Sequence, residues 1–165
     1  MENISKLGFG GGCHWCTEAV FQALHGVVRV EQGWLASVPP YHDFSEGVIV
    51  HFDNSIIPYE VLVEVHLLTH SSSSEHSMRD KYRSALYYFN EKDSAGLHDA
   101  LDRLSDENNI RYITKILPFQ KFRRNDELQL NYYNKHKDGP FCQLYISPKL
   151  AVLRSRFALR VRDDF

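Results

Sequence analysis

Leu7-Gly-Phe-Gly-Gly-Gly12-Cys13-His14-Trp15-Cys16-Thr17-Glu18 is the stretch on which the chain turns. A short apolar run closes in three consecutive glycines, two cysteines follow with CxxC spacing, and the pattern then becomes helical through Ala19, Val20, Phe21, Ala23 and Leu24 before Gly26. The reading is a strand, a flexible turn and a helix that opens at or near Cys13. Glycines there let backbone approach another group closely and leave N–H groups free to point at it. A helix N-terminus carries about half a positive charge and favours an anion placed on it. A cysteine in that position presents thiolate, the nucleophilic form, near neutral pH. Cys13 is therefore the candidate nucleophile. A structural zinc site wants four ligands, and no second CxxC or HxxxH-plus-Cys set stands at the usual spacing, so zinc is not expected.

The chain has 165 residues, enough for one domain over 1–165 with a proper core. A formal net charge of −2 and the lack of a basic stripe argue against nucleic-acid binding. No long uninterrupted apolar run suggests a membrane span. The start, Met1-Glu-Asn-Ile4, has no basic-then-apolar targeting pattern, and three cysteines suit a reducing cytoplasm better than a disulfide scaffold. A cytoplasmic monomer is the expectation.

Outward from the opening motif, Val27 to Ala36 reads as a strand, ended by Ser37-Val-Pro-Pro40. Ser45 to Phe52 is apolar and β-branched enough for a buried strand, with Glu46 at its beginning. Pro58 opens a helix running to about His70. Ser71 to Ser77 is a polar loop, Tyr82 to Phe89 a strand, and Asn90 is placed to cap a helix that stops at Asn108-Asn109. Ile110 to Leu117 alternates as a strand and Pro118 halts it. A helix is expected from about Asp126 through Tyr133, an apolar strand-like run from Phe141 to Ile146, and a last helix from Pro148 through Phe157. The order predicts an α+β fold, a ferredoxin-like two-layer sandwich of helices on a mainly antiparallel sheet. His66 and His70 share a helix face, but two histidines without a third placed ligand are not assigned to metal.

Gly12-Cys13-His14-Trp15-Cys16-Thr17-Glu18 resembles the GCFW-x-x-E signature of A-type peptide methionine sulfoxide reductases, with His14 in place of the usual Phe. Ser45 to Asp53 resembles that family's acid-bearing strand, Lys81-Tyr-Arg-Ser-Ala-Leu-Tyr87 its QYRSAIY segment, and Leu117-Pro-Phe119 through Tyr133 its "PF…HQxYL" region. The resemblance implies thiol-dependent reduction of methionine S-sulfoxide, free or in proteins, as a repair of oxidative damage. Cys13 attacks the sulfur and becomes a sulfenic acid, and Glu46 supplies the proton. Trp15 and His14 line a pocket for the methyl group, while Tyr82 and Tyr41 hydrogen-bond the sulfoxide oxygen. Ser77 falls where the family carries an aspartate, with Asp80 close by.

Turnover on this reading needs a second thiol to condense with the sulfenic acid. Cys16, one helical turn away, ranks first and Cys142 second; the Gly-rich cysteine tail of many relatives is not in this sequence. Thioredoxin is the implied reductant, and no cofactor is expected because no nucleotide or flavin fingerprint appears. The alternative is a thioredoxin-like disulfide oxidoreductase using Cys13-x-x-Cys16.

Overall fold

The computed structural model describes residues 3–74 and 81–165. Among them, the first half of the chain forms β1 (Ile4–Gly10), α1 (His14–Gln22), β2 (Val27–Ala36), β3 (Ser45–Asp53) and α2 (Tyr59–Leu68). Next come β4 (Ala85–Tyr88), α3 (Asp93–Asn108), β5 (Lys115–Pro118) and β6 (Lys121–Arg124). The chain closes through α4 (Tyr132–Lys135), a π-helical turn (Cys142–Ile146) and α5 (Ser147–Arg156). The strands lie in the order β5-β4-β1-β3-β2-β6. Within it, β4-β1-β3-β2 is an antiparallel ferredoxin-like sheet built from two split βαβ halves. Parallel β5 extends one edge and antiparallel β6 the other. The predicted α+β class, ferredoxin-like topology and mainly antiparallel sheet are all present.

Alternation along β3 makes two cores. Val48, Val50 and Phe52 face the helices, where they join Phe9, Phe21, Leu62, Leu97 and Leu153. Phe9 and Phe21 are fully buried with ring centroids 4.5 Å apart, and each such side chain contributes about 1.5–3 kcal/mol by burial. Ile49 faces the other way, with Leu35, Ala85, Tyr87 and Leu117. Loop aromatics rather than helices cover that second face, so the fold has two layers.

Four local readings need correction. The strand read over Tyr82–Phe89 is confined to Ala85–Tyr88. Its partner β1 ends at Gly10, paired with Ala85, so residues 81–83 instead bond to the start of β3: Lys81 O accepts from Glu46 N–H and the Ser45 hydroxyl, which in turn accepts from Arg83 N–H. The strand expected over Ile110–Leu117 is Lys115–Pro118, limited by the four residues of β4 that it can pair with; an edge position tolerates the missing N–H of Pro118. The helix expected from Asp126 is a 3₁₀ turn, Glu127–Gln129, and the short α4, separated by Asn131 at φ 55°. Finally, the strand-like run from Phe141 is helical. Buried Cys142, Ile146, Leu150 and Leu153 recur every three to four residues through the π turn into α5, and both sheet edges are already occupied. The strand β6 was not read from the sequence. Its Lys121-Phe-Arg-Arg124 composition is that of a charged, exposed edge.

Candidate active site

Strand β1 delivers the chain to the site and Gly11 turns it. Gly11 has φ 146°, and a Cβ there would lie 2.5 Å from the His70 ring, so both conformation and space demand glycine. Cys13 then caps α1: its carbonyl accepts the N–H groups of Cys16 and Thr17, each at 3.1 Å, and the Thr17 hydroxyl at 3.1 Å. No acidic side chain stands in the first helical turn to offset the positive helix end.

The two cysteines of the motif line one cleft, act on each other and differ in character. The Cys16 thiol donates to Cys13 and, with the N–H groups of Trp15 and Cys16, holds the Cys13 thiol below its usual range against burial and the Glu46 charge. The same contact, with burial, pushes the Cys16 thiol far up, so it stays protonated. The sulfur of Cys13 is thereby the candidate nucleophile and that of Cys16 a proton-bearing donor. Cys142 is fully buried in the π turn, its thiol pushed up by burial.

Glu46 enters from β3, opposite Trp34 in β2, and is only 6% exposed. Its Oε1 accepts the backbone N–H of His14 at 3.2 Å, so the carboxyl sits on the positive end of the same helix that carries Cys13. Its Oε2 lies 3.4 Å from Lys81 Nζ. A cleft of about 580 Å³ opens over Cys13 and Cys16, walled by Tyr82, His70, Phe141, Tyr145 and Lys149. Trp15 stacks on Tyr132 at 3.9 Å and meets Phe141 edge-on at 5.1 Å, which buttresses the aromatic wall.

The remaining sequence candidates stand outside the cleft lining, with His14 beside Glu46, its Nε2 3.5 Å from Oε1. The buried His14 ring bonds the Gly33 carbonyl through Nδ1 at 3.1 Å and Asn125 through Nε2 at 3.3 Å, and meets Trp34 edge-on; these contacts are on β2 and the loop after β6. Tyr41 joins the second core on the far sheet face, with its ring beneath Arg83 and Lys115 at 5.9 and 5.4 Å. Ser77 and Asp80 lie outside the described residues. His66 and His70 serve the fold: His66 Nε2 bonds the Gly10 carbonyl at 2.7 Å, and His70 Nε2 bonds the Ser84 hydroxyl at 2.7 Å.

Two residues of the site were not picked out in sequence. Lys149, on α5, lines both the cleft and the small cavity beneath Cys13 and Cys16, and its ammonium bonds the Thr69 carbonyl. Burial draws its ammonium down from the usual lysine range, partly offset by the two thiols. Glu18, quoted only as part of the motif, is buried and accepts from Gln32 Nε2 at 2.9 Å and from the N–H groups of Asn131 and Tyr132 at 3.0 and 3.2 Å. It ties α1 to the Asn131 turn. The Pro148-Lys149 pair at the start of a helix was the available signal for Lys149, but the cysteines whose cavity it lines are far away in sequence.

Two neighbouring thiols, one with its pKa lowered, beside a buried carboxyl on a ferredoxin-like sheet are the parts of a thiol-based oxidoreductase. The family model "Peptide methionine sulfoxide reductase" matches residues 5–160. The chain is 31% identical to the Acinetobacter baumannii peptide methionine sulfoxide reductase MsrA, covering 94% of this chain and 97% of the relative. It is equally similar, at 31%, to the Saccharolobus solfataricus MsrA, over 93% and 94% of the two chains. Among solved structures, Mxr1 from Saccharomyces cerevisiae in reduced form superposes with a TM-score of 0.72 at 20% identity, over 83% of this chain and 88% of that one. Methionine sulfoxide reductase A of Corynebacterium diphtheriae gives 0.69 at 20%, over 84% and 78%. The chain belongs to the peptide methionine sulfoxide reductase family. That membership and the ferredoxin-like sheet set aside a thioredoxin-like oxidoreductase.

Proposed function

We propose that this protein, acting as one domain and a monomer in a reducing cytoplasm, reduces the S epimer of methionine sulfoxide with Cys13 as nucleophile and Glu46 as acid. The observation that carries the reading is Cys13 at the N-terminus of α1, lining one cleft with Cys16, with the Glu46 carboxyl bonded to that same helix end. The Cys13 thiolate attacks the sulfoxide sulfur while the oxygen takes a proton from Glu46. The S–O bond of the substrate breaks, the oxygen ends as hydroxyl on Cys13, and the two electrons lost by the Cys13 sulfur leave on methionine. Tyr82 donates to the sulfoxide oxygen. Phe141, with Trp15 behind it, provides an apolar wall for the methyl group. Tyr41 has no part in this reading, because it lies across the sheet.

Cys16 resolves the sulfenic acid: its sulfur bonds to Cys13, the S–O bond breaks, and water leaves. Its contact with Cys13 supports this over the fully buried Cys142. Thioredoxin then returns two electrons and two protons to the disulfide; Mxr1, a protein of the same fold, has been crystallised in complex with Trx2. The test is turnover of a peptide methionine S-sulfoxide against its R epimer, with dithiothreitol and then with thioredoxin. Activity on S alone, lost in Cys13→Ser and limited to one turnover with thioredoxin in Cys16→Ser, is the expected result. Activity on neither epimer refutes the assignment.

A further inference from the structure

Beneath the cleft, Cys13 and Cys16 share with Lys149 a cavity of about 40 Å³, whose walls also carry Thr69, His66 and His70. Lys149 comes from the first turn of α5, where no acidic residue accompanies it. A cation at a helix N-terminus opposes the macrodipole, so this lysine does not stabilise its own helix. The Thr69 carbonyl, just past the end of α2, takes one of its three N–H groups and anchors it. Among the described residues no carboxylate pairs with it. A half-buried ammonium without a carboxylate partner thus lines a cavity in which the two cysteines are the groups able to become anionic.

Which sulfur is anionic changes during the reaction. In the reduced protein it is Cys13, whose thiol is held below its usual range. Cys16 is kept protonated by its hydrogen bond to Cys13, by burial and by the Cys13 charge, with a smaller push from Cys142; Lys149 opposes them. Once Cys13 has become a neutral sulfenic acid, its charge no longer bears on Cys16, while burial and the ammonium remain. Attack on the sulfenic sulfur nonetheless requires a thiolate. We propose that Lys149 is the counter-charge of the resolving step: its ammonium, in the cavity shared by the two cysteines, stabilises Cys16 as thiolate while Cys16 attacks the Cys13 sulfur. The inference rests on the assignment of Cys16 as resolving thiol made above. The Cys16 sulfur supplies the electron pair of the new S–S bond and the S–O bond on Cys13 breaks. The hydroxide takes up the proton that Cys16 lost and leaves as water, and Lys149 stays an ammonium throughout. The same charge faces the Cys13 thiolate in the first step, so one cation serves the two sulfurs in turn.

Other elements bring further titratable groups to this pair. His66 of α2 and His70 beyond its end are bonded through Nε2 to the Gly10 carbonyl and the Ser84 hydroxyl. Cys142 acts from the π turn, and Glu46 of β3 acts on Cys13. Burial draws the Lys149 ammonium down, opposed by Cys16 and then by Cys13.

The test follows the two steps separately after reduced protein is mixed with one equivalent of a peptide methionine S-sulfoxide. Methionine release reports formation of the sulfenic acid, dimedone traps that acid, and quenching with N-ethylmaleimide reports the Cys13–Cys16 disulfide. In Lys149→Met and Lys149→Gln, disulfide formation at neutral pH should slow by about tenfold or more, the equivalent of one pKa unit at Cys16, and the dimedone adduct should accumulate. Lys149→Gln keeps a donor for the Thr69 carbonyl and lacks the charge, so it separates electrostatics from packing. The gap to wild type should close toward about pH 10, where the ammonium gives up its proton and Cys16 ionises with less help. A sulfenic acid as short-lived in Lys149→Gln as in wild type overturns the proposal, and so does a slowing that is the same at neutral and alkaline pH. A disulfide that still forms in Cys16→Ser would instead refute Cys16 as the resolving thiol, and no methionine release from wild type would refute the reductase assignment.

Discussion

Replacing Cys16 separates its two roles. Alanine at position 16 removes both the resolving thiol and the S–H that donates to Cys13; serine removes the thiol but keeps a hydroxyl donor. A hydrogen bond to a charged acceptor is worth about 1.5–3 kcal/mol, and Cys13 is partly exposed, so the lower end applies. At about 1.5 kcal/mol the thiolate fraction at fixed pH falls roughly tenfold when the donor goes. Both variants stall after one turnover with thioredoxin, so the comparison is made on that first turnover, by rapid-quench release of methionine from a peptide S-sulfoxide. Cys16→Ala should be about tenfold slower than Cys16→Ser at pH 7. The gap should close as the pH rises and Cys13 ionises without help, and absorbance at 240 nm should show the same order of thiolate formation. Equal rates at pH 7, or a gap that persists at alkaline pH, would refute the claim that Cys16 acts on Cys13 through this hydrogen bond.

Other consequences are as direct. Glu46→Gln keeps an acceptor for the His14 N–H but has no proton to give, so single-turnover rate should fall by about 10²–10⁴; a loss below tenfold would remove Glu46 from the chemistry. Lys149→Met deletes the ammonium that lines the Cys13–Cys16 cavity and should slow the first turnover several-fold at neutral pH and low salt, less so in high salt. An unchanged salt response would count against it. Glu18→Ala strands three donors and should cost about 3 kcal/mol in chemical denaturation. Burial pushes the Glu18 carboxyl above its ordinary 4.5, outweighing its hydrogen bonds. Its contribution to stability is therefore full below about pH 4.5 and is lost as pH rises through the folded value. Wild type should lose ground to Glu18→Gln over that rise; a gain would reverse the sign of the argument.

The opening motif was legible because its meaning is local. Triple glycine, helix onset and CxxC spacing place a thiol on a helix end whatever the rest of the chain does, and the structure puts Cys13 at the cap of α1 with Cys16 in contact. The continuous apolar, β-branched run of Ser45–Phe52 likewise foretold a buried strand, since a strand covered on both faces is apolar on both. The run from Phe141 misled because six residues are too few to separate period two from period 3.6. The helical spacing shows only when Cys142 and Ile146 are read on into Leu150 and Leu153.

By itself, then, the sequence determined the candidate nucleophile, the order of the main elements and the family pattern, all properties of contiguous residues. Tertiary structure alone decided which groups share the site. Tyr41 is five residues from Glu46 in sequence, yet the sheet lies between it and the cysteines. Lys149 and Cys13 are far apart in sequence but line one cavity because α5 packs against α1. His14 stands where the family carries an apolar ring. Its ring finds hydrogen-bond partners in Gly33 and Asn125 only because β2 and the loop after β6 pack beside α1. A hydrogen bond depends on distances and directions set by long-range packing, and a one-dimensional pattern does not contain them.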